Sequence, residues 1–99
     1  MRMPSDLDLA ALRFRALGDA TRLRLLEILT TGEQPVQDLM SVTGLGQSLV
    51  SHHLRSLREA GLVATRRDGR WIYYAINPPA VADVRLFLYG LEPLRADRR

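Results

Sequence analysis

Apolar residues recur at three- and four-residue spacing along most of the chain, a pattern that predicts helices. Over residues 6–17, Leu9, Leu12, Ala16 and Leu17 share one side, and Arg13 and Arg15 are expected to point elsewhere. Ser5 followed by Asp8 is close to a capping box, Asp6 and Asp8 suit the positive helix end, and Gly18 closes the segment. Asp19 is the expected N-cap of a second helix, from Ala20 to Thr31. There Leu23, Leu26 and Leu29 form a stripe with Leu25 and Ile28 beside it, so the helix is expected to lie centrally. Gly32 stops it. Pro35 fits the first turn of a third helix, with Val36, Leu39 and Met40 toward the core. Gly44 then supplies a tight turn. A fourth helix is predicted from about Gln47 to Ala60, its inner side formed by Leu49, Val50, His53, Leu54 and Leu57.

The composition then changes. Gly61 ends the helix, and Leu62–Arg66 and Arg70–Ile76 are rich in Val, Ile, Tyr and Trp, which predicts two strands. Asp68-Gly69 between them is a strong hairpin signal. Asn77 is the expected cap and Pro78 or Pro79 the opening of a last helix that runs to Tyr89 or Gly90. Val81, Val84, Phe87, Leu88 and Leu91 are apolar, with Leu86 and Tyr89 on other sides. A terminal helix apolar on more than one face needs more than one partner, which predicts a helix–helix dimer contact shared with the first helix. Pro93 and the tail LRADRR are expected to fray.

Short helix, tight turn, longer helix and two strands around a turn, from Asp38 to Ile76, are the pattern of a winged helix-turn-helix. In that module one helix enters the major groove of DNA. The outer face of the fourth helix agrees. Gln47, Ser48, Ser51, Arg55 and Arg58 share it, His52 lies at its edge, and Glu59 at the far end is its one acid. Gln pairs with adenine, Arg with guanine, and Ser with bases or phosphates. An ordinary solvated face would mix Glu and Lys, and serines near a helix start are poor helix formers. Arg66, Arg67 and Arg70 crowd the hairpin, where they suit a phosphate backbone or a minor groove.

Charge placement sharpens this picture. The chain's formal charge is +3. Between Gln47 and Ile76 five arginines face Glu59 and Asp68, which leaves all of that charge on the predicted reading helix and wing. Elsewhere arginines and acids balance. With 46% hydrophobic and 25% charged residues in 99, the chain reads as one globular domain spanning 1–99. No apolar run approaches the roughly 18 residues of a membrane span, and the acidic MRMPSDLD start is unlike a signal peptide. A cytoplasmic protein without membrane association is expected. The absence of cysteine removes disulfides, thiolate metal sites and thiol switches. His52 and His53 are adjacent, so they point about 100° apart on a helix and cannot readily chelate one ion. His52 is expected at DNA and His53 as a satisfied, partly buried histidine. No nucleophile–base pair, metal constellation or phosphate-cradling loop suggests an enzyme, and no cofactor is expected.

Three segments, ALGDATRLRLLEIL (Ala16–Leu29), VSHHLRSLREAGLV (Val50–Val63) and RRDGRWIYYAI (Arg66–Ile76), resemble the ArsR/SmtB (arsenic-repressor-type) family of bacterial transcription regulators. The resemblance implies a mainly α fold with a small β-hairpin: four helices, the hairpin and a fifth helix. It implies a recognition helix at about 47–60, a wing at about 62–76, and a homodimer through helices at about 6–17 and 79–90. It further implies repression by binding a double-stranded operator, with release when an inducer is sensed. The family's DNA-contacting positions fall on Gln47, Ser48, Ser51, His52 and Arg55. Its sensing motifs are not carried over. Pro35 and Gln37 stand in EQPVQDL where paired cysteines would be expected, Asp83 is followed by Val84 and Arg85 with no histidine, and persulfide sensing needs two cysteines. An unknown small apolar molecule, a partner protein or no inducer at all remain open. So does use of the helix face on a protein instead of DNA. Trp71, Tyr73, Tyr74, Phe87 and Tyr89 suit a plain core as well as a small pocket.

Overall fold

The computed structural model describes residues 6–93. Helix α1 (Asp6–Leu17) and helix α2 (Ala20–Leu29) are followed by a two-residue strand, β1 (Gln34–Pro35). Helices α3 (Val36–Thr43) and α4 (Gln47–Glu59), strands β2 (Val63–Asp68) and β3 (Trp71–Ile76), and helix α5 (Pro78–Tyr89) complete the order. Among the described residues no helix is long and apolar enough to cross a membrane.

The helix starts and turns follow the side-chain chemistry. Asp19 caps α2 by accepting the Arg22 amide at 3.1 Å. α2 ends two residues earlier than expected, because the hydroxyls of Thr30 and Thr31 donate to the Glu27 and Ile28 carbonyls at 2.6 and 2.8 Å. Gly44 takes φ +74°, and its amide closes α3 onto the Met40 carbonyl. Pro35 sits one step before α3 with extended backbone, not in the helix's first turn, because it pairs with Tyr73. The expected Ser5 cap and the frayed tail lie outside the described residues.

The core forms where α2, α3, α4 and the base of the hairpin meet. Leu25, Leu39, Val50, Leu54, Leu57 and Leu62 are almost fully enclosed. Two leucines differ from the helical-stripe reading. Leu23 is 48% exposed and Leu49 is 45% exposed. The inner line of α2 is Leu25 and Leu29, four residues apart, and that of α4 is Val50, His53, Leu54 and Leu57. A short helix has room for one such line, so neighbouring leucines turn outward.

The sheet has the order β1-β3-β2, all antiparallel. Asp68 pairs with Trp71, so the hairpin loop is Gly69-Arg70 and not Asp68-Gly69. Gly69 has φ +62° and Arg70 a negative φ, the sign pattern that places glycine first in a type II′ turn. Asn77 precedes α5, but its side chain does not cap it. The Nδ2 group instead donates to the Gly61 carbonyl at 2.8 Å. Arg13 also departs from expectation. It turns inward, donating from Nε to the Ala60 carbonyl at 3.0 Å and from Nη1 to Asp83 at 3.2 Å.

Leu54→Ala is expected to lower unfolding free energy by about 2–5 kcal/mol in urea denaturation, through a cavity in the core. Leu49→Ala, at an exposed position of the same helix, is expected to stay within about 0.5 kcal/mol of the parent chain. Equal losses would mean that both leucines are core.

Candidate nucleic-acid interface

The fourth helix divides cleanly into two faces. Val50, His53, Leu54 and Leu57 fasten it to the core. Gln47, Ser48, His52, Arg55 and Arg58 are exposed and Ser51 is half-buried. Among the described residues, none of Gln47, Ser48, Ser51, Arg55 and Arg58 uses its side chain in an intrachain hydrogen bond or ion pair, and His52 meets only the edge of His53, centroids 5.3 Å apart. The donors and acceptors predicted from the helical period therefore stand together and unspent. Gly46 opens the helix with extended backbone and no side-chain cap, and its first turn holds no acid. The positive end of the helix dipole and its free amides thus face outward, an arrangement suited to an anion.

Behind that face, His53 is buried, with 8% of its surface exposed. It is not the satisfied histidine expected. Its Nδ1 has no hydrogen-bond partner, the nearest acid being Asp19 at 3.9 Å. Asp19 has its carboxyl held below the usual range, first by the Arg22 amide and then by the charges of His53 and Arg22. The residue that caps α2 thus also faces the back of α4.

The three wing arginines separate into two kinds. Arg70 lies in the loop and Arg67 just before it, Arg67 reaching the Gly69 carbonyl at 3.3 Å and Arg70 lying 5.8 Å from the Trp71 ring centroid. Among the described residues neither guanidinium group pairs with an acid. Arg66 is occupied: it forms a forked ion pair with Glu33, 2.6 Å at the shortest contact. Glu33 holds the Arg66 guanidinium more firmly protonated, and Arg66 holds the Glu33 carboxyl below its ordinary range. Glu33 escaped the sequence reading because its partner lies 33 positions away.

A second exposed surface lies on α1 and α5, which meet through the rings of Phe14 and Phe87, centroids 5.7 Å apart. Leu7, Leu9 and Leu12 of α1 are exposed, as are Leu86, Leu88 and Tyr89 of α5 and Leu91 just beyond it. Tyr89 is 76% exposed, which no core role explains. Asp83 of α5 points back to Arg13. Among the described residues no group of three or more His, Cys, Asp or Glu is placed to hold a metal ion.

A helix-turn-helix with an unspent polar outer face on its second helix, followed by a basic hairpin, defines a winged helix-turn-helix domain of the kind that binds DNA. Residues 19–65 match the family model described as bacterial regulatory protein, arsR family. A probable mercury resistance operon repressor of Streptomyces lividans is 42% identical over 77 residues, spanning 78% of this chain and 62% of that protein. A crystal structure of a possible transcriptional regulator for arsenical resistance aligns with TM-score 0.74 at 38% identity, covering 87% of this chain and 90% of that one. The homodimeric winged helix-turn-helix DNA-binding domain of a possible ArsR-family regulator from Mycobacterium bovis, solved by NMR, aligns with TM-score 0.73 at 29% identity, covering 100% of this chain and 98% of that one. The chain belongs to the ArsR family of bacterial transcriptional regulators, which are DNA-binding proteins and not enzymes. It spans about three fifths of the length of the Streptomyces relative.

Because its folded-state pKa is depressed, Asp19 stabilises the fold above its ordinary titration near pH 3.8, and that contribution is lost as pH falls through the folded value. Asp19→Ala is therefore expected to be less stable than the parent at pH 7 and to converge on it below that range, as read from urea midpoints across pH. A gap independent of pH would assign the effect to the cap geometry alone.

Proposed function

We propose that this chain acts in the cytoplasm as a homodimeric repressor that binds a roughly palindromic DNA operator. The observation that carries the reading is the outer face of α4: six polar or basic side chains at helical spacing, five of them without any intrachain bond among the described residues. In this mechanism Gln47, Ser48, Ser51, His52 and Arg55 meet base edges and nearby phosphates in the major groove. Arg58 extends the basic face, and Arg67 and Arg70 meet the backbone beside it. The exposed leucines of α1 and α5, together with Tyr89, are assigned to the contact between two copies, as the homodimeric state of the Mycobacterium bovis domain supports. A two-fold dimer sets two α4 helices against successive major grooves, about 34–36 Å apart. Any signal acts by moving the helices off that spacing.

The signal is assigned to something other than the family's thiolate and Asp-x-His chemistry. The chain has no cysteine, and Asp83 is spent on Arg13. A small molecule or a protein partner acting at the α1–α5 flank fits this arrangement.

The test is fluorescence anisotropy on DNA from upstream of the chain's own gene, beside a scrambled duplex, across a salt series. Tight, selective and salt-sensitive binding is expected; no binding to either duplex at low salt would redirect the α4 face to a protein partner. Arg55→Ala is expected to weaken specific binding by about tenfold or more, the scale of one base contact, and non-specific binding far less. Equal losses would remove Arg55 from base readout. Arg67→Ala is expected to weaken both duplexes alike and to flatten the log–log salt slope by about one per wing; an unchanged slope would exclude the phosphate contact.

A further inference from the structure

Arg66 is held from three directions. Its Nε lies 3.2 and 3.1 Å from the two Glu33 carboxylate oxygens, and Nη2 lies 2.6 Å from one of them. The guanidinium stands 4.7 Å from the Tyr73 ring centroid, and Nη1 is 4.0 Å from Asp68. These partners span the sheet. Arg66 belongs to the edge strand β2, Tyr73 faces it from the central strand β3, and Glu33 immediately precedes β1 on the far side. Val63 of β2 is buried in the core, so by strand alternation Arg66 crosses the sheet on the opposite, outer face.

The position along the sheet matters as much as the contacts. Strand β1 supports β3 only at Tyr73 and Tyr74. From Arg67 to Ile72 the wing continues as two strands with no third beside them. A bare two-stranded ribbon is marginally stable, so its direction is set at its base. The Arg66–Tyr73 pair is the last one that β1 reaches. An exposed ion pair contributes little to global stability, which leaves local alignment as the property that this one can govern.

We propose that Glu33 is a positioning residue for DNA binding: by holding Arg66 across the sheet it fixes the direction in which the wing presents Arg67 and Arg70, and Arg66 itself contacts no phosphate. The inference rests on the DNA-binding reading above. It separates the three arginines that sequence alone groups together into one strut and two contacts.

The test compares the parent with Glu33→Gln, Arg66→Gln and the double variant. The probe is a labelled duplex that the parent selects from a random-sequence pool, titrated across salt. Amide hydrogen exchange over residues 67–72 is measured without DNA. Each single variant is expected to weaken binding by about fivefold per wing, the upper range for one exposed pair. The double variant is expected to lose no more than either single one, because the two residues act as a unit. Salt slopes and urea midpoints should match the parent, while wing amides exchange faster. Tighter binding by Glu33→Gln, or a flatter salt slope in Arg66→Gln, would make Arg66 a phosphate contact restrained by Glu33 and overturn the proposal. Unchanged affinity and exchange would overturn it as well. If the parent selects no duplex, the DNA-binding reading fails, and wing exchange alone still decides whether Glu33 aligns the hairpin.

Discussion

The structure depends on the corner where α4 passes into the wing. Ala60 and Leu62 are buried there, so their backbone groups are cut off from water and need partners inside the protein. All three carbonyls of the corner are claimed. Arg13 donates to Ala60, the Asn77 side chain to Gly61, and the Asn77 amide to Leu62. Gly61 makes the corner possible by taking φ +76°, where a side chain would be strained. Arg13 of α1 holds the first of these residues and Asn77, just before α5, the other two. Helix α4 and the wing are fixed relative to one another by hydrogen bonds that neither supplies alone.

That arrangement also joins the two exposed surfaces. Arg13 is a cation at the negative end of α4, where the last carbonyls lack helical partners. With its other branch it reaches Asp83 in the middle of α5. One mostly buried side chain of α1 thus touches the end of α4 and the middle of α5, so it links α4 to both helices that carry the exposed leucines. A rearrangement of α1 against α5 has a direct mechanical route to α4 through this residue, without a chain of intermediates.

Much of this was legible in the sequence, for definable reasons. The helix period located α3 and α4, Gly44 marked the turn between them and Asp19 the cap of α2, and the runs rich in Val, Ile, Tyr and Trp around Asp68-Gly69 located the hairpin. The polar face of α4 followed from its inner one. What escaped had weak or distant signals. β1 is two residues long and exists only because β3 lies beside it. The hairpin slipped by one because the Asp68-Gly69 pair signals a turn as readily at one register as the next. Leu23 and Leu49 misled because hydrophobicity says that a residue tends inward, not that there is room. Arg13 lies three and four positions before Ala16 and Leu17, so the period placed it on the inner face. The assumption that a charge points to water overrode that signal, although a long cationic stem can bury itself when its head finds a carbonyl and a carboxylate.

Charge counting shows the same limit more sharply. Summed from Gln47 to Ile76, the sequence assigns three net positive charges to α4 and the wing. Glu33 lies outside that window and enters the sheet in space, where it neutralises Arg66. The effective footprint is smaller than the sum and differently distributed, with Arg55 and Arg58 on the helix and Arg67 and Arg70 at the hairpin tip. Between them lies a compensated stretch, where Arg66 is paired with Glu33. Net charge fixes how strongly a surface attracts a polyanion at a distance, but only the pairing pattern says which arginines remain to touch it.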